Sequence, residues 1–188
     1  MATLRVDVQT VGIERLANVL AAAGPKAPVA IRRALAHTGD KARTQVKRAL
    51  VAQTGLKAKV IAKAIKVTRP NRDALRYVIR SRGGDISLKF FSPRETRKGV
   101  SHKSRHAPSP LAGSFTKGGR FPRRIAAKGL NGHVYRRTGK GRGPLALQDS
   151  GVIIPAEMVE GASRAAFFST VERELPARLA HELYRILG

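Results

Sequence analysis

The first part of the chain combines one alternating stretch with one stretch of helical spacing. Leu4, Val6 and Val8 alternate with polar residues, which predicts a short strand. Residues 13–23 place apolar side chains three and four positions apart, which predicts a helix that should end at the glycine–proline pair 24–25. The chain is therefore expected to begin with a strand followed by a helix.

The longest periodic stretch lies between Pro28 and Gly55 and predicts one long helix. Its apolar stripe consists of Ile31, Leu35, Thr38, Ala42, Val46 and Leu50. Basic residues fill the other faces, which are either solvated or in contact with a neighbouring subunit or DNA. Glycine at position 55 is a natural helix stop, and a short helix over residues 57–64 is expected after it.

Two alternating stretches follow in the middle of the chain. Residues 75–80 and 86–91 each alternate apolar with largely basic or polar side chains. The segment between them, Arg-Gly-Gly-Asp at 82–85, suits a tight turn because glycine accepts positive φ. The pattern predicts a β-hairpin whose apolar face covers the long helix and whose opposite face is basic.

Residues 92–131, called the basic arm below, show little periodicity and contain four prolines. A structureless segment of this length is unusual in a compact domain, so it is either disordered or ordered by partners. Four apolar residues stand out in it: Leu111, Phe115, Phe121 and Ile125. Pure linkers seldom carry such anchors, and we therefore expect the arm to be ordered within an assembly.

The last part of the chain returns to regular patterns. Residues 132–137 and 152–154 predict strands, the second stopped by Pro155. An amphipathic helix with a kink or break at Pro176 is predicted from a stripe of Phe168, Val171, Leu175, Leu179, Leu183 and Ile186. The expected fold class is α+β in a single domain over residues 1–188. It has long N-terminal helices on a small antiparallel sheet, the basic arm and a C-terminal amphipathic helix.

The charge of the chain is strongly positive and unevenly distributed. Thirty-seven Lys and Arg against 12 Asp and Glu give a net charge of +25, and residues 69–142 alone carry +17. Such a charge attracts polyanions, so we expect contact with nucleic acid or with an acidic protein. The sequence has no cysteine, which excludes disulfides, thiolate zinc sites and cysteine nucleophiles. No apolar run is long enough to span a bilayer, so no membrane contact is expected.

The candidates for catalysis or metal binding are weak. Asp85 is better explained as a turn residue, because no second acid pairs with it convincingly. His102 and His106 stand four apart, but the basic residues that flank them oppose a bound cation. The segment TGKGRG at 138–143 matches neither phosphate-loop pattern. We therefore expect no enzyme activity, no metal and no cofactor.

The stretch GGRFPRR at residues 118–124 is more informative. Basic residues beside one aromatic ring and flexible glycines suit contact with phosphates or with an acidic partner. No nucleic-acid recognition signature accompanies it. Any DNA contact is therefore expected to involve the backbone rather than the base edges.

Several stretches, taken in order, resemble the phage and prophage minor tail protein Z family. They are LAHTGDKARTQVKRALVAQTGLKAKVIAKAIKVTRP (35–70), GGDISLKFFSPRETRKGVS (83–101), GSFTKGGRFPRR (113–124), GHVYRRTGKGRGP (132–144) and SGVIIPAEM (150–158). The C-terminal ELPARLAHELYRIL continues the resemblance, which covers most of the chain. The block ISLKFFSPRETRKGVS is its most specific part.

The resemblance implies a virion structural protein in the neck, the head-proximal end of a phage tail, assembled in the host cytoplasm. Such a protein would complete the tail, join it to the head-tail connector beside the tail terminator, and assist DNA passage. Similar tail completion proteins are α+β domains that assemble in rings. The implied state is a homo-oligomer, a hexameric ring around the DNA channel, without enzyme activity.

Two sets of residues are expected to act in such a ring. The residues expected to face DNA or the channel are Lys117, Arg120, Arg123, Arg124, Arg136 and Arg137. The residues expected to contact another subunit or a partner are Phe91, Arg94, Glu95, Arg97, Lys98, Phe115 and Phe121. Glu95 is expected to form an ion pair between subunits.

Two alternatives remain open at the level of sequence. A free protein that binds nucleic acid non-specifically would have the same net charge and the same basic stretches. A nuclease with a carboxylate-bound metal near Asp85 is the less favoured alternative, since the middle of the chain offers few acids.

Overall fold

The two longest helical stripes form two long helices that pack side by side. A computed structural model describes residues 1–7 and 17–187. Its helices are α1 (Ala17–Ala23), α2 (Ala27–Thr54), α3 (Ala58–Ala64), α4 (Ile154–Met158) and α5 (Gly161–Leu187). The predictions for α2, α3 and α5 are confirmed. The expected first helix is confirmed in its described part, while its residues 13–16 and the strand residue Val8 lie outside the described residues.

The long helices α2 and α5 bury side chains of different size. Ala34 and Ala42 of α2 are fully buried, and α5 contributes the larger buried side chains Phe167, Leu175 and Leu179. The distance between packed helices depends on the side chains at the contact, so alanines on one helix make room for bulky residues on the other. The α2–α5 pair is the main helical layer of the core.

A buried carboxylate also ties α5 to α2. The side chain of Glu182 is 1% exposed, and its oxygens lie 2.6 Å from Arg178, 3.1 Å from Arg185 and 3.8 Å from Arg33 of α2. Burying a charge is costly unless it is paired, and three guanidinium groups supply that pairing. Two of the three arginines lie on α5 itself, and the longer contact to Arg33 links the cluster to α2.

α5 continues through Pro176, with Leu175 and Leu179 buried on either side of it. The sequence predicted a kink or a break at Pro176, and the prediction of a break is wrong. Proline removes one helical hydrogen bond, but the burial of these leucines against α2 favours a continuous helix.

α2 ends at a residue whose left-handed backbone conformation favours glycine. Gly55 has a φ of 82°, and its N–H donates to the carbonyl oxygen of Val51 at 3.0 Å. A Cβ atom at this position would lie 2.1 Å from the carbonyl oxygen of Lys103. The predicted helix stop is confirmed, and the basic arm passes directly over it.

The strands form small antiparallel sheets around this helical layer. They are β1 (Ala2–Asp7), β2 (Ile65–Thr68), β3 (Arg76–Ser81), β4 (Asp85–Ser87), β5 (Arg94–Glu95), β6 (Gly99–Ser101), β7 (Leu111–Ala112), β8 (Ser114–Phe115), β9 (Tyr135–Arg137), β10 (Leu145–Leu147) and β11 (Asp149–Ile153). β3 lies between β1 and β2, with Ile79 opposite both Leu4 and Val67. Tyr77 and Ile79 are fully buried, so this sheet packs its apolar face on α2. The α+β class and the packing of helices on a small antiparallel sheet are confirmed.

The predicted hairpin between residues 75–80 and 86–91 is wrong. β3 already has a neighbour on each edge, and β4 pairs instead with β11. The carboxylate of Asp85 accepts hydrogen bonds from the backbone N–H groups of Ser150 and Gly151, which holds β4 against β11. After β4, Leu88–Phe91 form a turn of 3-10 helix rather than a strand, and this turn buries Leu88 and Phe91 in the core.

The basic arm contains short strands within a single chain. β5, β6 and β7 form one three-stranded sheet, and β8, β9 and β10 form another. Val100 of β6 is fully buried, and Gly99 passes so close to Leu111 that a Cβ atom would lie 2.0 Å from the Leu111 carbonyl oxygen. The basic arm therefore contains short paired strands although its side chains show little periodicity.

Candidate functional site: a basic cleft

A cleft of about 810 Å³ opens between β5–β6, β8, β9 and the turn at residues 118–125. Half of its lining residues are basic, and none is acidic. Those basic residues are Arg97, Lys117, Arg120, Arg124 and Arg137. Phe115, Phe121, Pro122 and two glycines complete the lining of this basic cleft.

A single carboxylate beneath the lining organises the basic cleft. One oxygen of Glu95 accepts hydrogen bonds from the N–H of Thr116 at 2.5 Å, its hydroxyl at 2.9 Å and the N–H of Lys117 at 3.0 Å. The other oxygen pairs with the guanidinium of Arg124. Glu95 therefore joins β5 to the segment that follows β8 and fixes the base of the cleft.

These contacts also control the ionisation of Glu95. Burial would raise the pKa of its carboxyl group, but the hydrogen bonds from Thr116 and Arg124, together with the Arg124 charge, outweigh burial and lower the pKa below its ordinary value. The side chain is only 12% exposed. Glu95 is therefore ionised at neutral pH and balances one of the arginines.

Phe115 contacts two of the arginines that line the cleft. The guanidinium carbon of Arg124 lies 5.7 Å from the Phe115 ring centroid, and that of Arg137 lies 5.4 Å from it. Both distances suit cation–π contacts. Arg137 also donates to the carbonyl oxygen of Gly141 at 2.9 Å. These two charges are positioned by the fold.

The turn on the other side of the cleft carries exposed charges. The backbone groups of Gly118 and Ile125 exchange two hydrogen bonds of 2.9 Å, which close the turn. Arg120 and Arg123 are exposed within it, and Phe121 is 42% exposed at its tip. The turn therefore presents cations beside an accessible aromatic ring.

Three cations of the cleft have no acidic partner in the part of the chain that the structure describes. No described carboxylate lies within 4.0 Å of the charged side-chain nitrogens of Arg97, Lys117 or Arg120. Cations gathered around one concave surface raise the local concentration of an anionic ligand. The arrangement can hold closely spaced negative groups, but it offers no general base or nucleophile.

The basic cleft unites residues that the sequence analysis assigned to different roles. From the channel-facing set, Lys117, Arg120, Arg124 and Arg137 line it. From the partner-contact set, Arg97, Phe115 and Phe121 line the same surface. Its cations therefore come from both sets and share one concave wall.

The other assigned residues lie around the cleft or away from it. Arg94, Lys98, Arg123 and Arg136 are exposed outside its lining. Phe91 is 1% exposed and packs in the subunit core, where a partner has no access to it. Glu95 is engaged within its own chain and is not available in this arrangement for the expected ion pair between subunits.

Sequence reasoning missed Thr116, which positions Glu95 through both its backbone and its hydroxyl. A single threonine directly after β8 carries no sequence signal of such a role. The glycine pair 118–119 did carry a signal, since it stood within the quoted GGRFPRR stretch.

The weaker chemical candidates have structural partners. Asp85 bonds to Ser150 and Gly151, the His102 ring bonds to the Pro108 carbonyl oxygen at 2.9 Å, and His106 faces Glu157 at 3.2 Å. Among the described residues, no group of three or more His, Cys, Asp or Glu side chains could hold a metal ion. Nor do the described helices include one long and apolar enough to cross a membrane.

We compared the chain with models of known protein families. The family model for prophage minor tail protein Z matches residues 10–188. The chain belongs to this family. Searches of curated proteins and of solved structures gave no match. Members of the minor tail protein Z family are structural components of phage tails, so this chain is a virion protein that assembles with other tail components.

Proposed function

We propose that this minor tail protein completes the head-proximal end of a phage tail. In this proposal it joins the tail to the head-tail connector, next to the tail terminator, after assembly in the host cytoplasm. Copies of the chain form a closed ring, expected to be hexameric, around the DNA channel. The observation that supports DNA contact is the basic cleft with its unpaired Arg97, Lys117 and Arg120.

The chemistry of the basic cleft suits DNA that must move. Cations on exposed side chains bind phosphates without reading bases, so their contacts are equivalent at every position along the duplex. The cleft lacks a helix positioned to enter a groove, and its aromatic ring Phe121 sits on a turn. Contacts of this kind permit sliding while lowering the electrostatic cost of DNA in a narrow channel.

A ring of these chains needs a polyanion or acidic neighbours. Each chain carries a net charge of +25, and like charges repel when copies assemble. DNA in the channel would offset that repulsion along the basic clefts. Arg94 and Lys98, exposed beside the cleft, are then placed for contact with an adjacent subunit or tail protein.

A second candidate function is free, non-specific DNA binding, which the net charge of +25 favours. The two functions differ in where the protein acts. A neck component is present in purified virions at a fixed copy number, whereas a free DNA-binding protein is absent from them. Quantitative mass spectrometry of purified particles distinguishes the two.

The neck proposal is tested with a phage that lacks the gene for this chain. Negative-stain imaging is expected to show separate heads and tails, and the wild-type chain supplied in trans should restore joined, infectious particles. A variant with Arg97, Lys117 and Arg120 changed to Glu should fail to restore infectivity. A matched variant with Lys26, Arg32 and Arg48 changed to Glu, all exposed outside the cleft, should restore it. Normal infectious particles without the chain would overturn the proposal.

A further inference from the structure

A second surface, distinct from the basic cleft, combines an apolar floor with a lysine rim. It is a groove of about 500 Å³ between α3, the β4 segment and the start of α4. Val60, Ala64, Ile86, Phe90 and Ile154 form the floor, and Lys57, Lys59 and Lys63 form the rim. This lysine-rimmed groove shares no residue with the basic cleft.

The floor includes the aromatic ring of Phe90, which is not buried in the core. Phe91 is 1% exposed and anchors the 3-10 turn in the core, while its neighbour Phe90 points outward and is 41% exposed. Ile86 is only partly buried beside it. Covering a large exposed apolar side chain removes it from water, which lowers the free energy. The floor therefore favours an apolar occupant.

The rim determines the charge of that occupant. Lys59 and Lys63 are exposed four residues apart on α3 and therefore lie on one face of this helix. No acidic residue lines the groove, and no described carboxylate lies within ion-pair distance of the three rim lysines. The ammonium group of Lys89, which lies outside the lining, is 5.4 Å from the Phe90 ring centroid and 3.2 Å from the His133 ring nitrogen.

We infer that the lysine-rimmed groove is a docking site for an acidic segment of another tail protein, with an apolar side chain seated on Phe90 and flanking Asp or Glu residues paired with the rim. DNA fits poorly, because phosphates would leave the apolar floor uncovered. A second copy of this chain also fits poorly. It carries 12 acidic residues against 37 basic ones, and several of the acids, such as Glu95 and Glu182, are already engaged.

The inference is tested by photo-crosslinking in assembled tails. A benzoylphenylalanine replaces Phe90 in one variant and Phe121, which is 42% exposed in the basic cleft, in a matched control. After irradiation, mass spectrometry of crosslinked peptides should identify, from position 90 alone, a segment of a different protein with an apolar residue between Asp or Glu residues. A product with DNA, with a second copy, or no product from tails that contain the variant would overturn it.

A charge series separates docking from simple proximity. Changing Lys59 and Lys63 to Glu should lower the crosslink yield from position 90 by about tenfold or more, because like charges then face each other across the groove. Changing the same residues to Arg keeps the charge and should keep the yield. Lys, Glu and Arg all have a high helix propensity at exposed positions. The circular dichroism spectra of both variants should therefore match that of the wild type. An equal yield from the Glu and Arg variants would also overturn the inference.

Discussion

The ring of Tyr77 occupies the space that a side chain at Gly39 would need. A Cβ atom built on Gly39 of α2 would lie 2.2 Å from the Tyr77 ring, well inside van der Waals contact. The Tyr77 hydroxyl then donates to Asp40, the next residue of α2, at 2.8 Å. A helix glycine and a strand tyrosine together bring the central β3 strand close to α2.

Gly39→Ala should therefore destabilise the protein although alanine favours helices. The gain in helix propensity is at most about 1 kcal/mol, whereas forcing an atom into this packed contact costs typically about 1–3 kcal/mol. Urea unfolding should show a lower midpoint. Gly84→Ala is the control, because a Cβ there meets nothing within 4 Å, and its effect should stay within about 0.5 kcal/mol. Equal midpoints for the Gly39→Ala variant and the wild type would contradict this packing.

How much the sequence predicts depends on whether the signal is local. The stripe of α2 and its stop at Gly55 are local, and both were predicted. The predicted hairpin is wrong because alternation identifies a strand but not its partner. β4 pairs with β11, which lies far along the chain. The convergence of Arg97, Lys117 and Arg137 likewise depends on long-range pairing of short strands, which single-residue patterns do not encode.

Tyr77 should make stability depend on alkaline pH. Burial, followed by the hydrogen bond to Asp40, raises the pKa of its hydroxyl far above the ordinary value. A raised pKa in the folded state contributes stability that is complete below the unfolded pKa of about 10 and is lost as the pH rises above it.

Tyr77→Phe tests this dependence. At neutral pH the variant should lose about 0.5–1.5 kcal/mol with the hydrogen bond, and between about pH 9 and 11 its stability should fall less steeply than that of the wild type. Thermal unfolding across this range measures both effects. Tyr184→Phe, at a side chain that is 64% exposed, should leave the profile unchanged. Parallel pH profiles for the Tyr77→Phe variant and the wild type would disprove the assignment.

Glu95 should have the opposite pH dependence. Its pKa is lowered in the folded state, so the stability it contributes is present above the unfolded pKa of about 4.3 and is lost as the pH falls through the folded value. Glu95→Gln keeps the shape but removes the charge that pairs with Arg124. We expect a loss of about 1–3 kcal/mol at neutral pH and a shallower loss of stability below about pH 4.5.

The same variant reports on the basic cleft. In this variant the amide oxygen can still accept from Thr116 and Lys117, but these hydrogen bonds lose the negative charge that strengthens them, and Arg124 loses its acceptor. Hydrogen exchange at these two amides should become faster, while that of buried amides in α2 should not change. Unchanged exchange at both positions would show that Glu95 does not organise the cleft.

Neutralising the unpaired cations of the cleft should weaken DNA binding in a salt-dependent way. Each phosphate contact contributes about 0.9 to the slope of log affinity against log salt for duplex DNA. Changing Arg97, Lys117 and Arg120 to Gln should therefore make the slope shallower by about 2–3, with equal effects on unrelated duplex sequences. The matched variant with Lys26, Arg32 and Arg48 changed to Gln loses the same net charge outside the cleft, so it should change the slope by less than about 1. Fluorescence anisotropy with a labelled duplex at several salt concentrations measures both slopes. Equal slopes for the two variants would mean that DNA responds to the overall charge of the chain and that the cleft is not its binding surface.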